Sequence, residues 1–152
     1  MEQTGFHLPR WSELPQIALY MDQVLLVMNG ALEPLGIGSF TVTATMINNY
    51  VKMKLTAPAE KKKYTRTHVA LFFMICFYKQ VLSMAEIAAL LQTPLTDAEL
   101  ALHYDGFCDE LEQRLQNPQG ESGCGFAPVT ALTIRAVACK LLVEQQLKTD
   151  EK

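Results

Sequence analysis

Thr45, Asn48, Asn49 and Lys52 recur at i, i+3, i+4 and i+7, the spacing that sets four side chains on one face of a helix. The set offers amide and hydroxyl donors and acceptors beside one cation, with no carboxylate among them. An asparagine amide can bond N6 and N7 of an adenine together in a DNA major groove. Asn48 and Asn49, with Thr45 beside them, are therefore candidate base-reading residues. Lys61, Lys62, Lys63 and Arg66 follow within a few residues. With Lys52 they are candidate phosphate contacts, which position a protein on DNA without reading its sequence. The plainer reading of both groups is a solvated helix face beside a charged surface.

Charge along the 152 residues is uneven although the net value is only -3. Residues 41–80 hold Lys52, Lys54, Lys61, Lys62, Lys63, Arg66 and Lys79 against Glu60, net +6, between an N-terminal stretch at -3 and a C-terminal one at -6. Such a block suits an anion-binding face. Signals for catalysis are weak by comparison. His103, Asp105, Cys108 and Asp109 lie close in sequence, but His103 and Cys108 are five apart rather than at the i, i+4 spacing that aligns two metal ligands on a helix. "GESGCG" lacks the lysine and the strand-to-helix setting of a phosphate loop. His7 and His68 have no evident nucleophile partner. The residues thus point to no enzyme, cofactor or metal.

The elements that must position these side chains follow from periodicity and caps. Pro9 and Pro15 in "FHLPRWSELPQ" predict an extended arm that Trp11 pins down. A helix is expected from Gln16 to about Leu32, buried on more than one side, then a break at Pro34, Gly36 and Gly38. Thr43 caps a short helix to about Met53, with Ile47, Tyr50 and Val51 inward. "LTAPAEKKKYT" reads as a loop or small wing, and Arg66 to Leu82 as a core helix apolar on nearly every face. Ser83 with Glu86 and Thr96 with Glu99 form capping boxes that open two further helices, the second reaching about Leu115. Pro128 starts the last helix, to about Leu147. The longest apolar run, Val69 to Tyr78, is about half of what a bilayer span needs, and no secretory leader pattern opens the chain. The chain reads as cytoplasmic, with Cys76, Cys108, Cys124 and Cys139 as reduced thiols.

"VTATMINNYVKMKL" resembles the turn and recognition helix of MerR-type winged helix-turn-helix regulators. "PAEKKKYTRTHVA" resembles their wing and the start of the next helix, and "QVLSMAEIAALL" their closing short helix, so the resemblance covers Thr41 to Leu91. That family usually has arginine and tyrosine early in the recognition helix and glycine before its final leucine; here Asn48 and Asn49 stand in the helix and Lys54 takes the glycine position. The larger chain, with "LPRWSELPQIALYMDQV" ahead of "TATMINNYVK", also resembles an uncharacterised bacterial domain-of-unknown-function family, DUF1836.

The expected architecture is one all-α domain over residues 1–152, with a MerR-like winged helix-turn-helix core at 41–91, an N-terminal arm, and two additional C-terminal helices within 95–152. The resemblance implies a DNA-binding transcriptional regulator with a recognition helix at about 43–53 and a lysine-rich wing, and double-stranded DNA as partner. The alternative is a helical protein-interaction module that keeps the helix-turn-helix shape without its DNA role. The C-terminal helices are candidates for a homodimer interface or an effector site, or they simply cover the core.

Overall fold

Ten of the thirteen residues of Arg66–Tyr78 are buried, so the remaining elements wrap this helix on all sides. The computed structural model describes residues 6–37, 40–91, 95–121 and 125–150. Gly38 of the predicted break, and Ser122, Gly123 and Cys124 of "GESGCG", lie outside the described residues. In chain order an arm with a 3-10 turn at Trp11–Glu13 leads to β1 (Leu19–Tyr20) and α1 (Met21–Leu32), and a second 3-10 turn (Glu33–Leu35) precedes α2 (Ala44–Lys52). Then come β2 (Lys63–Tyr64), the central α3 (Arg66–Tyr78), α4 (Met84–Leu90), α5 (Asp97–Gln116) and α6 (Pro128–Asp150). The fold is mostly helical with one small antiparallel sheet, β1 against β2, in the register Leu19 to Tyr64 and Tyr20 to Lys63. Among the described residues no helix is long and apolar enough to cross a membrane.

Two predicted boundaries are corrected. The helix expected from Gln16 starts at Met21, because Leu19 and Tyr20 are drawn into the sheet and Leu19 buries its side chain there. Ile17 is consequently 72% exposed, and Leu26 is 76% exposed, so the helix is not buried on a second side as expected. Burial of α1 is confined to the Val24, Met28 and Leu32 stripe with half-buried neighbours. The core helix ends at Tyr78 rather than Leu82, since Ser83 must adopt an extended backbone to cap α4 and the chain leaves the helix through turns first. The caps predicted at Thr43, Ser83 and Thr96 form, and Thr65 adds one at the start of α3. Thr43, Thr65, Ser83 and Thr96 each accept a backbone N–H from the third residue on, and Glu86 and Glu99 return the bond to Ser83 and Thr96.

The arm is latched to α5 by hydrogen bonds to Asp105, Asp109 and Glu112 of that helix. Leu8 N–H donates to Glu112 (2.8 Å), Trp11 N–H to Asp105 (2.7 Å), and the Tyr104 hydroxyl to the Pro9 carbonyl (2.6 Å). Arg10 forks between Asp109 (2.7 Å) and Glu112 (2.8 Å), and the hydrogen bond to Glu112 is the main reason its guanidinium holds its proton more tightly than usual. On the other side α6 packs on α5, and near its end Gln145 donates to the Leu35 carbonyl (2.8 Å).

Phe77 is the hub of the core, with ring centroids 4.8 Å from Phe40, 5.9 Å from Phe107 and 6.4 Å from Phe6. These rings belong to the arm, the loop before α2, and α5, so one side chain joins three separate segments to α3. Phe77→Ala is expected to cost about 3–5 kcal/mol in urea unfolding, whereas Leu26→Ala at the exposed face of α1 stays within about 0.5 kcal/mol.

Candidate nucleic-acid interface

The amphipathic face expected for α2 forms as a consequence of what its other face buries. Ile47 and Tyr50 are fully enclosed and Val51 is half-buried, which turns Thr45, Asn48, Asn49 and Lys52 outward to solvent. The start of the helix is set by a clamp that the sequence reading missed. The Asn29 side chain accepts the Val42 N–H (2.8 Å) and donates to the Val42 carbonyl (3.0 Å), so α1 holds the residue that leads into the Thr43 cap. A single asparagine thereby satisfies both backbone groups of an otherwise unpaired position. The outward residues rim a surface depression of about 330 Å³, completed by Met46 and Lys79. Lys79 caps the C-terminus of α3, far away in sequence, and its ammonium lies 5.6 Å from the Tyr50 ring centroid. Only the packing of α3 beneath α2 delivers this second cation to the asparagines.

The chain leaves α2 through a Schellman turn. Leu55 N–H donates to the Tyr50 carbonyl (3.0 Å) and Lys54 N–H to the Val51 carbonyl (2.9 Å), with Lys54 at φ 62°. The glycine position of the resembled family is thus a left-handed one, and a lysine occupies it here. The following lysines form a two-residue hairpin loop. Glu60 and Lys63 exchange both backbone hydrogen bonds (3.0 and 2.9 Å), and Lys61 and Lys62 stand at φ 52° and 66°. Two successive positive φ values are the signature of a type I′ turn, which ordinarily selects Asn-Gly. Each non-glycine residue held left-handed costs about 1 kcal/mol. The described positive-φ residues other than glycine are all lysines of the basic block.

His68 anchors the hairpin to the core. Thr65 N–H donates to its Nδ1 (3.0 Å), which leaves Nε2 as the donor to the carbonyls of Ala57 (3.0 Å) and Pro58 (3.2 Å). Its ring also meets Tyr64 edge-on at 5.4 Å. This histidine is a positioning group for the loop. The flanking cations rest on aromatic rings: the Lys63 ammonium lies 5.1 Å from the Tyr20 centroid and the Arg66 guanidinium 5.4 Å from that of Trp11, both half-buried. Lys61 and Lys62 are exposed at the turn. The candidate residues therefore fall into two groups. Thr45, Asn48, Asn49 and Lys52 are joined by Lys79 on α2, and Lys61, Lys62, Lys63 and Arg66 are supported by the sheet and the arm. Among the described residues none of the cations from Lys52 to Lys79 forms an ion pair.

Other candidate chemistry dissolves into packing. Asp105 and Asp109 are occupied by the arm, and Cys108 is buried, its thiol pushed up to about 12 chiefly by that burial. Burial raises the Cys76 thiol likewise. Neither thiol has the thiolate character of a nucleophile or metal ligand. Cys139, expected within the apolar pattern of the last helix, is instead exposed on α6. Among the described residues no three His, Cys, Asp or Glu side chains come together as a metal site.

The strained turn offers a clean separation of stability from charge. The double variant Lys61→Asn, Lys62→Gly supplies the residues that a type I′ turn prefers and removes two positive charges. It is expected to raise the unfolding free energy by about 1–2 kcal/mol, measured by urea denaturation; a loss of stability would show that the lysine side chains hold the hairpin together.

No curated protein and no solved structure matches the chain. Residues 9–107, from the arm through the sheet, α1 to α4 and the first half of α5, match the family described as "Domain of unknown function (DUF1836)", and the chain belongs to that family.

Proposed function

We propose that the protein is a bacterial, cytoplasmic DNA-binding transcriptional regulator of MerR-like winged helix-turn-helix type, without catalytic activity. In this reading α2 enters the major groove, Thr45, Asn48 and Asn49 meet base edges, and Lys52, Lys61, Lys62, Lys63 and Arg66 meet phosphates, with Lys79 added beside Lys52. The lysine-tipped hairpin between α2 and α3 is the wing. The observation that carries the reading is the outward face of α2, where two asparagines lie between cations that no carboxylate among the described residues neutralises. Supporting it, Lys54, Lys61 and Lys62 keep their charge at backbone positions where glycine or asparagine is more stable.

A regulator of this kind gains affinity from two-fold symmetry, because one short helix reads only a few base pairs. The exposed side of α6 supports a homodimer. Val129, Leu132, Ala136, Cys139 and Val143 are all exposed and follow one another at three- and four-residue intervals, with Leu132 at 65% and Val143 at 55%. That spacing is the seam of a helix packed on another helix. The same stripe favours the second reading, a helical protein-interaction module whose partner is a different protein and whose α2 face has no DNA role.

Fluorescence anisotropy with duplex DNA separates the two. With about four of these cations per protomer reaching phosphates at once, log K should fall against log salt concentration with a slope of about -3.6, doubled for a dimer. No binding at low salt overturns the DNA reading. On a preferred duplex, Asn48→Ala and Asn49→Ala are expected to lose about 1–3 kcal/mol of discrimination while nonspecific affinity holds. Sedimentation tests the seam: the wild-type chain should be a dimer and Leu132→Glu, Val143→Glu a folded monomer. A monomeric wild type at all concentrations removes the homodimer.

A further inference from the structure

We propose that the pocket between α3, α4, α5 and the start of α6, partly open to solvent, is a binding site for a neutral, mostly apolar small molecule of about bicyclic aromatic size, with His103 bonding its single polar group. The cavity measures about 390 Å³ and draws Leu71 from α3, Leu90 and Leu91 from α4 and its end, His103 from α5 and Phe126 from the residues before α6. This is within the range of about 300–1,000 Å³ typical of small-molecule sites. Leu71, Leu90 and Leu91 remain only half-buried around it. A ligand would complete their burial.

The lining specifies the chemistry of the occupant. Among the described residues it contains no Lys, Arg, Asp or Glu, so a phosphate, carboxylate or ammonium would be desolvated there without a counter-charge. The Thr67 hydroxyl on the wall already donates to Asp97 (3.3 Å). His103 meets Phe126 edge-on at 5.2 Å, and its ring nitrogens form no hydrogen bond among the described residues. Burial lowers its affinity for a proton, which keeps the imidazole neutral with one donor and one acceptor nitrogen. A hydroxyl or amine N–H on an aromatic frame answers that group. The site reaches the turn after α2 through Leu55 but includes none of the candidate DNA-contacting residues, so the inference holds whether or not the protein binds DNA.

Titration with N-phenyl-1-naphthylamine, a neutral probe that fluoresces in apolar surroundings, tests the site on the full chain. Saturable binding of one probe per chain is expected, with displacement by 1-naphthol and by 1-methylnaphthalene. Filling the cavity with Leu71→Trp, or with Leu90→Trp should the first fail to fold by circular dichroism, is expected to weaken the probe about tenfold or more. His103→Leu keeps the volume but removes the nitrogens, and should weaken 1-naphthol about five- to tenfold while leaving 1-methylnaphthalene unchanged. Non-saturating binding, equal binding by the filled variants, or equal loss of both competitors in His103→Leu would overturn the proposal.

Discussion

A helix without a polar face must be surrounded, and α3 imposes that requirement on the whole chain. From His68 to Tyr78 only Leu71 keeps appreciable exposure, so arm, sheet, α1, α2, α5 and α6 each have to bring an apolar surface to it. Hydrophobic burial has no direction of its own. The directional terms therefore decide which segment takes which side: the Asn29 clamp, the arm latch on α5, and the His68 bonds to the loop behind α2. Their net contributions are each modest, but a wrongly placed partner would leave buried polar groups unpaired.

The placement of charge follows from the same packing. Asp105, Asp109 and Glu112 of α5 are turned toward the arm, where Arg10 and backbone N–H groups take them up. The lysines between residues 52 and 79 are left with aromatic rings or solvent as neighbours. A chain with a net charge of -3 thus presents a region of unneutralised positive charge, because its acids are spent internally or lie elsewhere. The aromatic supports at Tyr20, Trp11 and Tyr50 hold cations by their ring faces without cancelling the charge. The arm consequently belongs to the candidate interface, although its own sequence has only one cation.

Much of this was legible in the sequence where the signal is local. Caps act over three residues, so Thr43, Ser83 with Glu86, and Thr96 with Glu99 fix helix starts that need no knowledge of the fold. The face shared by Thr45, Asn48, Asn49 and Lys52 follows from helical spacing, and the buried run of α3 from its lack of polar residues. The boundary at Gln16 was misread because Ile17, Tyr20 and Met21 fit a helical period as well as a strand leading into a helix. Two residues of pairing with β2 decided between them, and a period carries no information about a partner forty residues away.

What the sequence alone determined is the set of helices, the inward side of α2, the buried run of α3, and the block of positive charge, since all of these depend on neighbours within a few residues. Tertiary structure decided the rest. It placed Lys79 beside Asn48 and Asn49, turned Lys54, Lys61 and Lys62 into left-handed turns, gave Asp105 and Asp109 to the arm, and left a cavity at His103. Each of these joins groups distant along the chain, and their meeting is set by how the surrounding elements pack on α3, which no local pattern encodes.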